Sequence, residues 1–123
     1  MNSKMKQKNP ESKIQQACIT WFALQYPQLW DNKRLHSIPN GGKRNVITAS
    51  ILKAEGAVSG VWDLHLTIPR GLLCGLFIEV KAGKNGLTVE QKAFKESHKT
   101  EYAFAVCYSL EDFMRAIKEY LCY

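Results

Sequence analysis

Between Gly60 and Lys81 the chain reads GVWDLHLTIPRGLLCGLFIEVK, two apolar runs around a turn signal, and this stretch limits the fold more than any other. An antiparallel hairpin with Arg70-Gly71-Leu72 as its loop has a common length and uses a glycine where the chain reverses. That loop pairs Trp62 with Val80, Leu64 with Ile78, Leu66 with Leu76 and Ile68 with Cys74. All four pairs are apolar, and a slip by one residue would turn the wrong side chains inward, so the pattern predicts this register. The same register sets Asp63 opposite Glu79 on the other face, with Cβ atoms roughly 5 Å apart, where like charges destabilise the pair unless something neutralises them.

The rest of the chain supplies layers for that hairpin. Asn9-Pro10-Glu11 is a helix start, followed by Ile14, Ala17, Cys18 and Trp21 at helical spacing until Tyr26-Pro27. Leu35 to Ile38 reads as a short strand ended by Pro39-Asn40-Gly41-Gly42, and a helix is expected from about Asn45 to Glu55 with Gly56 as its cap. Thr88-Val89-Glu90-Gln91 is a capping box opening a third helix, Tyr102 to Tyr108 reads as a strand, and Ser109 caps a last helix with Phe113, Ile117 and Tyr120 or Leu121 inward. The order α-β-α-β-β-α-β-α predicts an α/β domain, a mixed sheet with helices packed on it. With 123 residues there is room for one domain, expected over 9–123 behind a flexible basic tail, 1–8.

Composition narrows the function. A formal net charge of +6 favours a polyanionic partner, most often nucleic acid. Cys18, Cys74, Cys107 and Cys122 form no C-x-x-C pair and no zinc spacing, and three of them fall on apolar faces, as reduced cysteines do inside cells. No run approaches the roughly 18 apolar residues of a membrane span. The expected setting is therefore soluble and cytoplasmic.

A divalent metal is the natural neutraliser for Asp63 and Glu79, because hard carboxylate oxygens suit Mg²⁺ or Mn²⁺ and leave positions for water and phosphate. Such a site lowers the pKa of bound water and offsets charge on a phosphorane-like transition state. Lys81, two residues beyond Glu79 on the same face, can orient or help deprotonate the attacking water. The plain alternative is an edge-exposed polar pair beside a surface lysine. Lys33, Arg34, Lys43, Arg44, Arg70 and Lys84 are candidate phosphate contacts, with the Asn40-Gly41-Gly42-Lys43-Arg44 loop the best collective one, since glycine lets backbone approach phosphate closely. His36 and His65 are read as packed or solvent-facing rather than as ligands.

D-x(n)-E-x-K across a hairpin resembles the PD-(D/E)xK nuclease superfamily, and the wider pattern is similar to its VRR-NUC branch, the virus-type replication-repair nucleases. The resemblance covers "HSIPNGGKR" at 36–44, "LKAEGAVSGVWDL" at 52–64 and "GLFIEVKAGKNGLTVEQ" at 75–91, together with Glu11 and the closing strand and helix. It implies a restriction-endonuclease-like fold and a metal-dependent nuclease with Glu11, Asp63 and Glu79 as acidic ligands, Lys81 as the catalytic lysine and Gln91 assisting. Trp62 stands where the family usually has Pro; in the expected register it points to the apolar face, away from the metal chemistry. The resemblance further implies a homodimeric Holliday-junction-resolvase-like enzyme of phages or bacteria, acting on branched DNA. The alternatives are a non-catalytic DNA-binding protein on the same fold and a flap or nicking nuclease.

Overall fold

The computed structural model describes residues 9–39 and 46–122. Helix α1 (Pro10–Gln25) starts with proline in its first turn, although the Asn9 side chain makes no capping bond. The backbone breaks at Tyr26, whose N–H closes on the Phe22 carbonyl at 2.8 Å. Pro27 then opens an unexpected second helix, α2 (Pro27–Asp31). Proline ends one helix and begins the next for the same reason: it lacks an N–H that the first turn does not need.

Strand β1 (Leu35–Ser37), helix α3 (Val46–Ala54), strands β2 (Leu64–Leu66) and β3 (Leu76–Val80), helix α4 (Val89–His98), strand β4 (Ala103–Cys107) and helix α5 (Leu110–Leu121) follow. The sheet runs β1-β2-β3-β4, antiparallel for the first three strands and parallel between β3 and β4, with α4 as the crossover. This is the expected mixed sheet with α2 added to the order. The capping box at Thr88 and Gln91 is present, and the Ser109 hydroxyl accepts from the Asp112 N–H.

The β2–β3 ladder has the expected register: Leu64 opposite Ile78, His65 opposite Phe77, Leu66 opposite Leu76. Leu35, Leu64, Leu66, Leu76, Ile78, Val80 and Cys107 form one face, packed against Cys18 and Phe22 of α1 and Phe113, Ile117 and Tyr120 of α5. The other face is aromatic: His65, Phe77, Phe94, Tyr102 and Phe104 stack on one another under α4.

Three expectations are corrected at the margins of the hairpin. Its tip is tighter than a three-residue loop: Arg70 and Leu73 exchange both backbone hydrogen bonds at 2.9 Å, leaving Gly71 (φ 60°) and Leu72 as the turn. A two-residue turn needs positive φ, which glycine supplies without strain. That closure does not continue the β2–β3 register, so the Ile68–Cys74 pair does not form and Cys74 is exposed, bonded through its N–H to the Glu101 carbonyl. Two cysteines, Cys18 and Cys107, are therefore buried rather than three, and all four are free thiols.

Trp62 is the third. It is fully buried, but its ring packs edge-on against Phe104, 4.9 Å between centroids, on the aromatic side of the sheet. Alternation fails here because the chain bends at Asp63 before β2 begins. Gly60, at φ 97°, lets the preceding segment press against α4: a Cβ there would lie 2.8 Å from the Glu90 carbonyl oxygen.

Candidate active site

Asp63 and Glu79 meet across the open end of the β2–β3 pair, and their side chains replace ladder hydrogen bonds. The Asp63 N–H donates to Glu79 Oε1 at 3.1 Å, and the Val80 N–H donates to Asp63 Oδ2 at 2.9 Å. On the other side the Asp63 carbonyl accepts from the Ile38 N–H at 2.8 Å. The bend at Asp63 is thus held from both neighbouring strands, and each of the two carboxylates accepts a backbone N–H.

Glu79 and Lys81 are the buried charged residues among those described, at 3% and 7% exposure. Lys81 Nζ lies 3.6 Å from Glu79 Oε2, and Gln91 Nε2 donates to the same oxygen at 2.7 Å. Gln91 has two roles at once, because its Oε1 accepts from the Thr88 N–H at 2.9 Å and its own N–H donates to the Thr88 hydroxyl at 3.1 Å. The Trp62 indole N–H donates to the Gln91 carbonyl at 2.9 Å, tying the start of α4 to the segment that carries Asp63. The capping box and the residue before the aspartate therefore support the orientation of Glu79.

The electrostatics are unfavourable without a further cation. Burial first, then the neighbouring Asp63 charge, pushes the Glu79 carboxyl up to about 7. Burial also raises Asp63, with Glu11 contributing, against the Val80 N–H and the positive charge of Lys81. One lysine cannot balance the buried Glu79 and the half-buried Asp63 together, so the site keeps a negative excess when both ionise. The donors fit a hard divalent ion: they are carboxylate oxygens, each with a second lone pair beyond the hydrogen bonds above.

Glu11 stands across a cleft of about 470 Å³ that it lines with Asp63, Ser12, Gln15, Gln16, Ile19 and others. Among the described residues no three His, Cys, Asp or Glu side chains come close enough together to form a metal-holding group. Asp63 and Glu79 thus touch, and Glu11 faces Asp63 across the cleft. Asn85, which the sequence did not single out, positions Glu11: its Nδ2 donates to Glu11 Oε2 at 3.2 Å, while its carbonyl accepts from the Tyr108 hydroxyl at 2.8 Å. The Lys84-Asn85-Gly86 turn signal could have drawn notice to it.

The candidate phosphate contacts scatter. Lys84 is exposed and precedes Asn85, the residue bonded to Glu11. Lys33 and Arg34 are exposed before β1, at the end away from Asp63, where Arg34 Nη1 donates to the Thr67 carbonyl at 2.7 Å. Arg70 lies at the hairpin tip, the far end of the strands, and its Nη2 donates to the Leu121 carbonyl in the last turn of α5, a structural role rather than one at the cleft. Asn40, Gly41, Gly42, Lys43 and Arg44 lie outside the described residues. His36 is exposed and His65 stacks on Phe77 at 4.2 Å, where burial lowers its pKa; neither joins the carboxylates.

No helix among the described residues is long and apolar enough to cross a membrane. No family model matches the chain, and no curated protein matches it. A solved structure described as a "VRR_NUC domain protein" is similar over 91% of this chain and 88% of its own, with a TM-score of 0.73 and 27% sequence identity.

Proposed function

We propose, on the premise that this chain is a VRR-NUC-type domain of restriction-endonuclease-like fold, that it is a metal-dependent DNA endonuclease. The interlocked Asp63–Glu79 pair carries this reading, because a buried and a half-buried carboxylate, both with raised pKa values, beside one lysine are a poor structural choice and a good cation site. Asp63 and Glu79, with Glu11 facing them, would hold Mg²⁺ or Mn²⁺. When bound, such an ion lowers the pKa of water and neutralises charge on a phosphodiester undergoing displacement.

The chain's own groups do the rest. Gln91 fixes one oxygen of Glu79 and leaves the other toward Asp63. Lys81, with its Nζ 3.6 Å from the Glu79 oxygen that Gln91 holds, orients the attacking water or the scissile phosphate and relays a proton. Water oxygen forms a bond to phosphorus as the bond from phosphorus to one deoxyribose oxygen breaks; the water gives up a proton and the leaving oxygen takes one up. Asn85 holds Glu11 at the opposite wall.

The preferred substrate in this reading is a four-way junction, cut by a homodimer whose two clefts are related by the two-fold axis of the DNA. Labelled four-way junction, 5′-flap, splayed-arm and plain duplex DNA, each incubated with wild type and Asp63→Asn in Mg²⁺, Mn²⁺ or EDTA, test it. Symmetric, metal-dependent junction cuts that vanish in the variant support the proposal. Junctions bound but never cut under either metal would make the protein a DNA-binding one on the same fold.

A further inference from the structure

A second groove of about 700 Å³ runs along the edge of β1 that pairs with no strand among the described residues, between Gln15 and Ile19 of α1 and Trp30 of α2. Gln15 and Ile19 also line the Glu11–Asp63 cleft, so the two depressions adjoin. At the near end is Ser37, whose neighbour Ile38 is bonded to Asp63; at the far end is Lys33. We infer that this groove holds a single-stranded nucleic-acid segment flanking the scissile phosphate, with Trp30 as the platform on which a base stacks.

Four observations carry the inference. Trp30 is 37% exposed in a concave wall, where an indole offers a stacking surface open to every base. Arg34 and Ile38 make backbone bonds to β2, so by alternation the backbone N–H of the exposed Ser37 faces the outer edge, where it can meet phosphate. Lys33 takes its left-handed φ of 61° where α2 closes, its N–H on the Trp30 carbonyl and the Arg34 N–H on the Leu29 carbonyl, and this closure sets an exposed ammonium at the end of the groove beside Trp30. The formal net charge of +6 favours a polyanion over an acid-seeking or apolar ligand, and Asp31 is the opposing charge in the groove wall. An extended peptide could pair with the same edge, but a strand of three residues offers it few bonds.

The inference deepens the proposed nuclease reading and is tested apart from it. Anisotropy of a duplex with and without an oligo-dT tail of about six nucleotides is measured on the Asp63→Asn protein, then on the same protein carrying Trp30→Ala, Trp30→Phe or Lys33→Glu. The tail should strengthen binding about ten-fold or more; Trp30→Ala and Lys33→Glu should bring the tailed-to-blunt ratio close to one, and Trp30→Phe should retain most of it. A tail carrying 5-iodouracil should cross-link to Trp30 on irradiation, a readout independent of any folding defect in the alanine variant. A ratio of one without the groove substitutions, a ratio that Trp30→Ala leaves intact in a folded protein, or displacement of an extended peptide instead of the tail overturns the inference. Absence of cleavage with a normal tail ratio removes the nuclease reading and leaves the groove standing.

Discussion

The two ends of the β2–β3 hairpin use charge in opposite ways. At the turn end, Arg70 donates to a helix C-terminal carbonyl, a cation placed where the helix dipole and an unpaired acceptor favour it. At the open end, Asp63 and Glu79 are pressed together, raised in pKa, and offset only in part by Lys81. A structural charge lowers the energy of the fold as it stands. Charges assembled for a ligand leave the fold short of its minimum until the ligand arrives.

Substitutions at the two ends should separate these cases. Lys81→Met should lower cleavage by about 10²- to 10⁴-fold, measured in single-turnover assays, with little unfolding. A loss confined to KM would make Lys81 a phosphate contact instead. Gln91→Ala removes the hold on Glu79 and half of the capping box. It should reduce activity by about 10- to 100-fold and destabilise by about 1 kcal/mol in denaturant titrations. Arg70→Ala, at the turn end, should destabilise by about 1.5–3 kcal/mol, yet leave any metal-induced rise in Tm as it was. A lost metal response there would dissolve the contrast between the two ends.

The smallest effect is a pH dependence of the metal-free protein. Glu79 titrates at about 7 when folded against its ordinary 4.5. Between these values the folded state keeps a proton that the unfolded chain has released, so stability falls as pH rises. The contribution is complete below about 4.5 and gone above about 7. Thermal scans from pH 5 to 8 in EDTA should show Tm declining, and saturating Mg²⁺ or Mn²⁺ should flatten that decline.

The open end was legible in the sequence because it obeys a local rule. The apolar alternation of Leu64, Leu66, Leu76 and Ile78 sets the register, and the register places Asp63 beside Glu79 without knowledge of any other element. Thr88 and Gln91 were legible as a cap for the same reason, although a capping box cannot announce that its glutamine also reaches Glu79. What escaped depends on distant partners. Arg70 finds Leu121 and Glu11 finds Asn85 only after α5 and the loop beyond β3 have packed. Trp62 departs from period-2 alternation because the chain bends at the next residue, and that bend exists because Asp63 bonds to Ile38, Glu79 and Val80 together. Helix α2 was hidden by reading Pro27 only as a terminator.

The most direct measurement is the Tm of wild type and Asp63→Asn at pH 8, in EDTA and in saturating Mn²⁺. Asparagine keeps an acceptor for the Val80 N–H and gains a donor toward Glu79, while removing one of the two charges. The variant should therefore be more stable than wild type without metal and indifferent to Mn²⁺, whereas wild type should gain stability on adding it. A variant less stable in EDTA, with a wild type that ignores the metal, would show that the carboxylate pair serves the fold and would contradict the account.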